Sequence, residues 1–246
     1  MIGETAVRRV IAPGAVELWW LKLNGRCLPE DSLVLSAEEI SRCARFDTAE
    51  FASDFVRIRA TLRCVLAAYT GCRPSELRFA TGPHGKPELP CGAPAFNLTH
   101  TRGLAVVAVA GSGSIGVDAE PFDAGFDLAG LTGRVLTPRE AAVVGRDRQR
   151  FLHHWVAKES YLKWLGSGLS VSPDTIELRT DHTGRAVVGA VDEVNLPTRY
   201  VHHFDLDAQY VGAFVSDALP QHFPLRPAES VCAETDLLRR TTGVQA

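Results

Sequence analysis

Two stretches about 100 residues apart share one pattern, and this repetition narrows the possible folds more than any other feature. "ELRFATGPHGKPE" (76–88) and "ELRTDHTGRA" (177–186) both read as short strands around a turn, while "LAVVAVAGS" (104–112) and "QYVGAFVSD" (209–217) both read as apolar strands. A long helical run precedes each set: "EFASDFVRIRATLRCVLAAYTG" (50–71), stopped by Gly71, and "RFLHHWVAKESYLKWLG" (150–166), stopped by Gly166. The expected fold class is therefore α+β, two similar α/β halves related by a pseudo-twofold, with a small-molecule site in the cleft between them. The halves are placed at residues 1–113 and 114–223. Residues 224–246, rich in small and polar side chains, read as a tail with a short helix at "CAETDLLRR".

Other elements follow from local signals. "AVELWWLKL" (15–23) is a strand, and "SAEEISRCARF" (36–46) is a short helix opened by a capping box of Ser36 and Glu39. "AFNLTHTRGLAVVAVAG" (95–111) is strand, turn, strand, and "LTPREAAVV" (136–144) starts a helix.

Composition excludes several classes of function. With 46% hydrophobic and 22% charged residues, a globular core forms readily. A net charge of −3 argues against a nucleic-acid binder working through a broad basic surface. The six cysteines form no C-x-x-C pair and no zinc-like spacing, so they read as reduced thiols of a cytoplasmic protein. The N-terminus "MIGETAVRRVIAPG" lacks a signal-peptide core, and "GLAVVAVAG" is too short to span a bilayer, so no membrane partner is expected.

The chemistry starts at "GSGSIGVDAEPF" (111–122). In a strand, alternate residues share a side, so Ile115, Val117 and Ala119 can face a core while Asp118 and Glu120 stand side by side opposite. Like charges so placed repel. They are either a solvated strand end or two ligands of one cation. A third carboxylate, Glu159, falls in the apolar stripe of Phe151, Trp155 and Leu162. Its partner is either Lys163 at i+4 or the same cation. Lys158 and Lys163 suit a phosphate-bearing ligand. "GPHGKP" (82–87) is a turn with one cation, Lys86, and "FNLTHTR" (96–102) offers Asn97, Thr99, His100 and Arg102 at a strand end. Arg42 and Arg45 lie on one side of the short helix as anion contacts or solvated charges.

Taken in order, "SAEEISRCARF", "HGKPEL", "FNLTH", "GVDAEP" and "WVAKESYLKWLGSGLS" resemble the successive motifs of the surfactin-type (type II) 4′-phosphopantetheinyl transferases. The resemblance covers roughly residues 15–216, and its two late motifs, G-[IV]-D-x-E and W-x-x-K-E-[SA], are specific in combination. It implies a pseudo-dimer of two α+β halves that moves 4′-phosphopantetheine from coenzyme A to a serine of an acyl or peptidyl carrier protein, releasing adenosine 3′,5′-bisphosphate. By resemblance, Asp118, Glu120 and Glu159 are ligands of Mg²⁺, with Mn²⁺ as a substitute, and Glu159 is also the base for the carrier serine. Lys163, with Lys158 beside it, would contact the phosphates. Thr99, His100 and Arg42 would lie near the 3′-phosphate, Gly85, Lys86 and Pro87 along the adenine, with Asn97 among the coenzyme A contacts. The N-terminal half would hold the adenine and 3′-phosphate, and the C-terminal half the metal and pyrophosphate. Asp54 stands where relatives often carry a basic residue, which leaves Arg42, Arg57 or Arg59 to compensate. Residues 121–142, with Leu131, Val135 and Leu136, are the expected lip for the carrier. The expected working unit is a cytoplasmic monomer. A phosphodiesterase or pyrophosphatase acting on coenzyme A, or a non-catalytic coenzyme A-binding module, are the alternatives.

Overall fold

The computed structural model describes residues 8–82, 85–90, 92–125, 127–191 and 196–232. Strand β1 (Val16–Lys22) leads into two short helices, α1 (Pro29–Ser32) and α2 (Ala37–Cys43), and then into the long helix α3 (Ala49–Thr70). A small hairpin, β2 (Ala80–Thr81) and β3 (Pro87–Glu88), precedes β4 (Ala95–Thr101) and β5 (Leu104–Ala110). Strand β6 (Ile115–Pro121), helices α4 (Leu128–Val135), α5 (Pro138–Val144) and α6 (Arg148–Leu165), and strands β7 (Ile176–Thr180), β8 (Ala186–Ala190), β9 (Arg199–Leu206), β10 (Tyr210–Ser216) and β11 (Leu225–Pro227) complete the order.

The strands form a sheet of order β11-β1-β5-β4 and a second of order β6-β10-β9-β8-β7, with β2 and β3 paired separately. Side-chain alternation explains the layering. In β1 and β5, Val16, Leu18, Leu104, Val106 and Ala108 point toward Ile115, Val117 and Ala119 of β6 and Phe204 and Phe214 of the second sheet. Their neighbours Trp19, Leu21, Val107 and Val109 point the other way, into a core with Leu62, Val65 and Leu66 of α3. Leu152, Val156 and Tyr161 of α6 cover the far face of the second sheet, over Val211, Ala213 and Val215. Two sheets thus meet face to face, each covered by one long helix.

Local signals account for the element ends. Ser36 and Glu39 make the expected capping box, and Thr137 and Glu140 make a second one on α5. Gly71 and Gly166 close α3 and α6 in the left-handed region, at φ 74° and 68°.

The expected tail needs correcting. Leu225–Pro227 pairs in parallel with β1, and Ala228 and Val231 are fully buried in the α3 core. Their apolar side chains complete a core that the sequence places about 160 residues earlier, beyond the reach of any local pattern. Of the helix expected at "CAETDLLRR", all but Cys232 lies outside the described residues. Strand β9 and helix α4 have no counterpart among the elements expected from sequence. Among the described residues no helix is long and apolar enough to cross a membrane.

Candidate active site

The site is built where α6 crosses β6, and Gly116 permits that crossing. A Cβ at Gly116 would lie 2.1 Å from the Ser160 carbonyl oxygen and 2.2 Å from the Trp164 amide nitrogen of α6. Only a residue without a side chain lets the helix backbone lie this close to the strand. Residues 116, 118 and 120 share one face of β6. The close contact at Gly116 therefore brings Asp118 and Glu120 under Glu159 and Lys163.

Asp118 is the hub. It is buried, and its Oδ1 accepts from the Lys163 ammonium at 2.7 Å and from the Thr99 hydroxyl at 2.9 Å. Lys163 also donates to the Thr99 hydroxyl oxygen at 3.0 Å. The i+4 alternative for Glu159 is thereby answered: the ion pair Lys163 makes is with Asp118. Glu120 Oε2 accepts from the Thr101 hydroxyl at 2.8 Å. Burial and the neighbouring Asp118 charge push the Glu120 carboxyl above its ordinary range, against the pull of Thr101, Lys163 and the Trp155 indole. Glu159 is raised for the same reasons, burial first and then Asp118, with Glu120 adding and Lys163 opposing. Thus three carboxyl groups feel one another's charge around a single ammonium.

Whether they suit a divalent cation is tested by the other oxygen of Asp118. Asp118 Oδ2 is buried and has no hydrogen-bond partner, a state that normally costs free energy. A hard cation satisfies such an oxygen, and carboxylate oxygens are the donors Mg²⁺ prefers. As they stand, though, no three His, Cys, Asp or Glu side chains among the described residues form a ready ligand group. The chemistry of the donors fits a cation.

Beside this cluster opens a cavity of about 880 Å³. Gly85, Lys86, Pro87, Asn97, Glu159 and Lys163 line one part of it, and Leu131, Trp155, Leu162 and Val171 give the rest an apolar wall. Arg134, a cation that no sequence motif singles out, also lines it.

Several expected ligand contacts have other partners. Lys158 is fully buried, and its ammonium donates to Glu140 Oε2 at 2.5 Å, to the Val135 carbonyl at 2.7 Å and to the Pro173 carbonyl at 3.0 Å. It does not face a ligand; it ties α6 to α4, α5 and the turn before β7. The Lys86 ammonium donates to the carbonyls of Ile115 at 2.8 Å and Lys163 at 2.9 Å, so it joins the β2–β3 hairpin to β6 and to the last turn of α6. Asn97 Oδ1 accepts the Val117 amide at 2.9 Å, and the hydroxyl of buried Thr99 is turned to Asp118. Val135 and Leu136, expected on a carrier-facing lip, are 2% and 3% exposed and pack with Phe151 in a small core; Leu131 and Val135 also touch the cavity, and Leu136 does not line it.

The arginines separate cleanly. Arg57 donates to the carbonyls of Lys22 and Gly25, and Arg59 pairs with Glu39 at 2.5 Å. Arg42 lies over the Phe55 ring at 5.3 Å and acts electrostatically on His100. Loss of hydration lowers the His100 pKa first, with the charges of Lys163 and Arg42 adding and Asp54 opposing. Arg102, at the end of β4, pairs at the surface with Asp123.

Two further site contacts emerge only from the structure. Thr101 continues the alternation of Asn97 and Thr99, so period two along β4 is the signal that points to it. Trp155 stands in the apolar stripe and opens the W-x-x-K-E-[SA] motif in sequence, yet neither signal reveals its indole's pull on Glu120.

Comparison with known proteins places the chain in a family. The sequence profile of the 4′-phosphopantetheinyl transferase superfamily matches residues 114–215. The chain is 34% identical over 169 residues to 4′-phosphopantetheinyl transferase HetI of Nostoc sp., covering 63% of this chain and 70% of that protein. It is 30% identical over 182 residues to 4′-phosphopantetheinyl transferase ffp of Bacillus subtilis, covering 72% and 79%. With 4′-phosphopantetheinyl transferase Sfp of Bacillus subtilis the identity is 28% over 180 residues, again covering 72% and 79%. The chain belongs to the 4′-phosphopantetheinyl transferase family of enzymes.

Proposed function

We propose that this enzyme transfers 4′-phosphopantetheine from coenzyme A to a serine of an acyl or peptidyl carrier protein, leaving adenosine 3′,5′-bisphosphate. The observation that carries the reading is the cluster of Asp118, Glu120, Glu159 and Lys163, of which Glu159 and Lys163 line a large, partly apolar cavity. Asp118, Glu120 and Glu159 would hold Mg²⁺, which when bound neutralises charge on the pyrophosphate.

Glu159 is the proposed base. Its carboxylate, raised by burial and by Asp118, takes the serine proton as the serine oxygen bonds to the pantetheine-bearing phosphorus. The bond from that phosphorus to the bridging oxygen breaks, and the oxygen leaves on the adenosine bisphosphate. Lys163, 30% exposed and reaching the cavity, places a positive charge against the phosphates. Arg42 and His100 are the proposed 3′-phosphate contacts, since Arg57 and Arg59 have other partners. Gly85, Lys86 and Pro87 offer backbone along the adenine. The apolar wall with Leu131 and Trp155 leaves room for the pantetheine arm and the carrier serine.

The finer architecture belongs to the same proposal. Two halves meeting near residue 113 and related by a pseudo-twofold are supported by matching helices and hairpins over two sheets, antiparallel except where β11 returns to pair in parallel with β1. The working unit is proposed to be a cytoplasmic monomer.

The deciding experiment is intact-mass spectrometry of an apo carrier protein incubated with coenzyme A, Mg²⁺ and the enzyme. The carrier should gain one phosphopantetheine, and EDTA or Glu159→Gln should abolish the gain. Coenzyme A cleaved without carrier modification would replace the proposal with a hydrolase. Coenzyme A bound but unchanged, equally in Glu159→Gln, would replace it with a binding module.

A further inference from the structure

Strand β6 lies at the edge of its sheet, so among the described residues no strand pairs with its outward backbone groups. Strand β4 of the other sheet stands alongside, and residues 97, 99 and 101 of β4 point to one side. All three reach β6. Asn97 accepts the Val117 amide at 2.9 Å, the Thr99 hydroxyl donates to Asp118 at 2.9 Å, and the Thr101 hydroxyl donates to Glu120 at 2.8 Å. The partners follow one another along β6: backbone first, then each carboxylate in turn.

Asp118 and Glu120 repel each other and keep parallel aim only if something holds them. A hydroxyl on each, delivered from one neighbouring strand, supplies that restraint without adding charge. We infer that Thr101 is a positioning residue for Glu120, the last rung of a side-chain rail by which the first sheet sets the spacing of the two carboxylates. The inference rests on the reading that these carboxylates hold a divalent cation. Hydrogen-bond partners of ligating carboxylates orient them, and their loss typically lowers metal affinity by about 10- to 100-fold. A purely structural hydroxyl would instead affect stability and leave affinity alone.

The test compares Mn²⁺ binding to the coenzyme A-free wild type, Thr101→Val and Thr101→Ser, by the free-ion paramagnetic resonance signal, with melting temperatures recorded alongside. Thr101→Val, which keeps shape and removes the donor, should weaken Mn²⁺ binding about tenfold, and Thr101→Ser should restore it. In transfer assays the Mg²⁺ concentration for half-maximal rate should rise with little change in KM for coenzyme A. Undiminished Mn²⁺ affinity in Thr101→Val, whatever its melting temperature, overturns the inference while leaving the cation reading in place. A wild type that takes up no Mn²⁺ overturns both.

Discussion

Helices α3 and α6 end alike and are armed differently. Arg63 and Lys158 stand the same number of residues before their cap glycines, and both are buried. Arg63 pairs with the capping-box glutamate of α2, Glu39, and reaches the Pro74 carbonyl; Lys158 pairs with that of α5, Glu140, and reaches the Pro173 carbonyl. One residue further on, α3 has Cys64 and α6 has Glu159; one turn beyond, α3 has Ala68 and α6 has Lys163. The strands differ in the same way. Trp19 and Leu21 of β1 pair across from Val107 and Ala105, while Asp118 and Glu120 of β6 pair across from Ala213 and Val211. At the place of Gly116, β1 carries Glu17, whose carboxylate accepts the Tyr69 hydroxyl of α3. The packing of β1 against α3 closes as an apolar core with a side chain between strand and helix. That of β6 against α6 brings helix and strand into backbone contact and fills the space with charge. Buried cation, capping glutamate and cap glycine therefore recur around both helices, and the proposed site residues occupy positions where the two surroundings differ.

The largest expected effects test that recurrence. Removing one member of a buried ion pair leaves its partner uncompensated, so Arg63→Met and Lys158→Met should each cost about 3–5 kcal/mol in urea unfolding. A Lys158→Met enzyme of unchanged stability that fails to bind coenzyme A would break the comparison and return Lys158 to the ligand site. Next comes Gly116→Ala, whose Cβ must push α6 off β6. Overpacking of this kind costs about 1–3 kcal/mol, occasionally more. Its turnover should fall further than its melting temperature explains, because Glu159 and Lys163 ride on the displaced helix. Wild-type turnover in the Gly116→Ala enzyme would show that the close contact is not what positions them.

Smaller effects sharpen the division of labour. Arg42→Ala should raise KM for coenzyme A about tenfold, the value of a charged hydrogen bond of about 1.5 kcal/mol, and should leave dephospho-coenzyme A unaffected. Arg59→Ala should act on stability through Glu39 instead, and equal sensitivity of both coenzymes to Arg42→Ala would remove it from the 3′-phosphate. The smallest effect is on pH. His203 and His202 on β9 are both held below the ordinary imidazole range, chiefly by burial; at His203 the hydrogen bond to the His153 carbonyl and the Asp205 charge oppose the shift, and His153 and His154 of α6 add to it. A depressed histidine pKa means that the unfolded chain binds more protons, so stability is present above the ordinary value of about 6.5 and declines as pH falls below it. His203→Gln should flatten that decline in melting temperature between pH 7 and 5, values chosen to bracket the imidazole range at roughly 6.5.

Much of this was legible in sequence because it is local. The capping box at Ser36 and Glu39, the glycine stops at 71 and 166 and the alternation around Asp118 and Glu120 are written within a turn or a few strand residues. What only the tertiary structure decided is which groups face each other. Lys158 and Lys163 are both cations on α6; one is sealed away because Glu140 and two carbonyls converge on it, and the other reaches a cavity. Lys86 and Asn97 line the cavity, yet only the structure shows that the Lys86 ammonium and the Asn97 amide oxygen engage the backbone of β6. Leu136 and Leu225–Pro227 read as surface until distant apolar neighbours enclose or pair with them. Periodicity and capping depend on neighbours along the chain, so one sequence suffices to find them. The partner of a buried charge or a free strand edge is chosen by packing between residues far apart in sequence, and no local pattern records that choice.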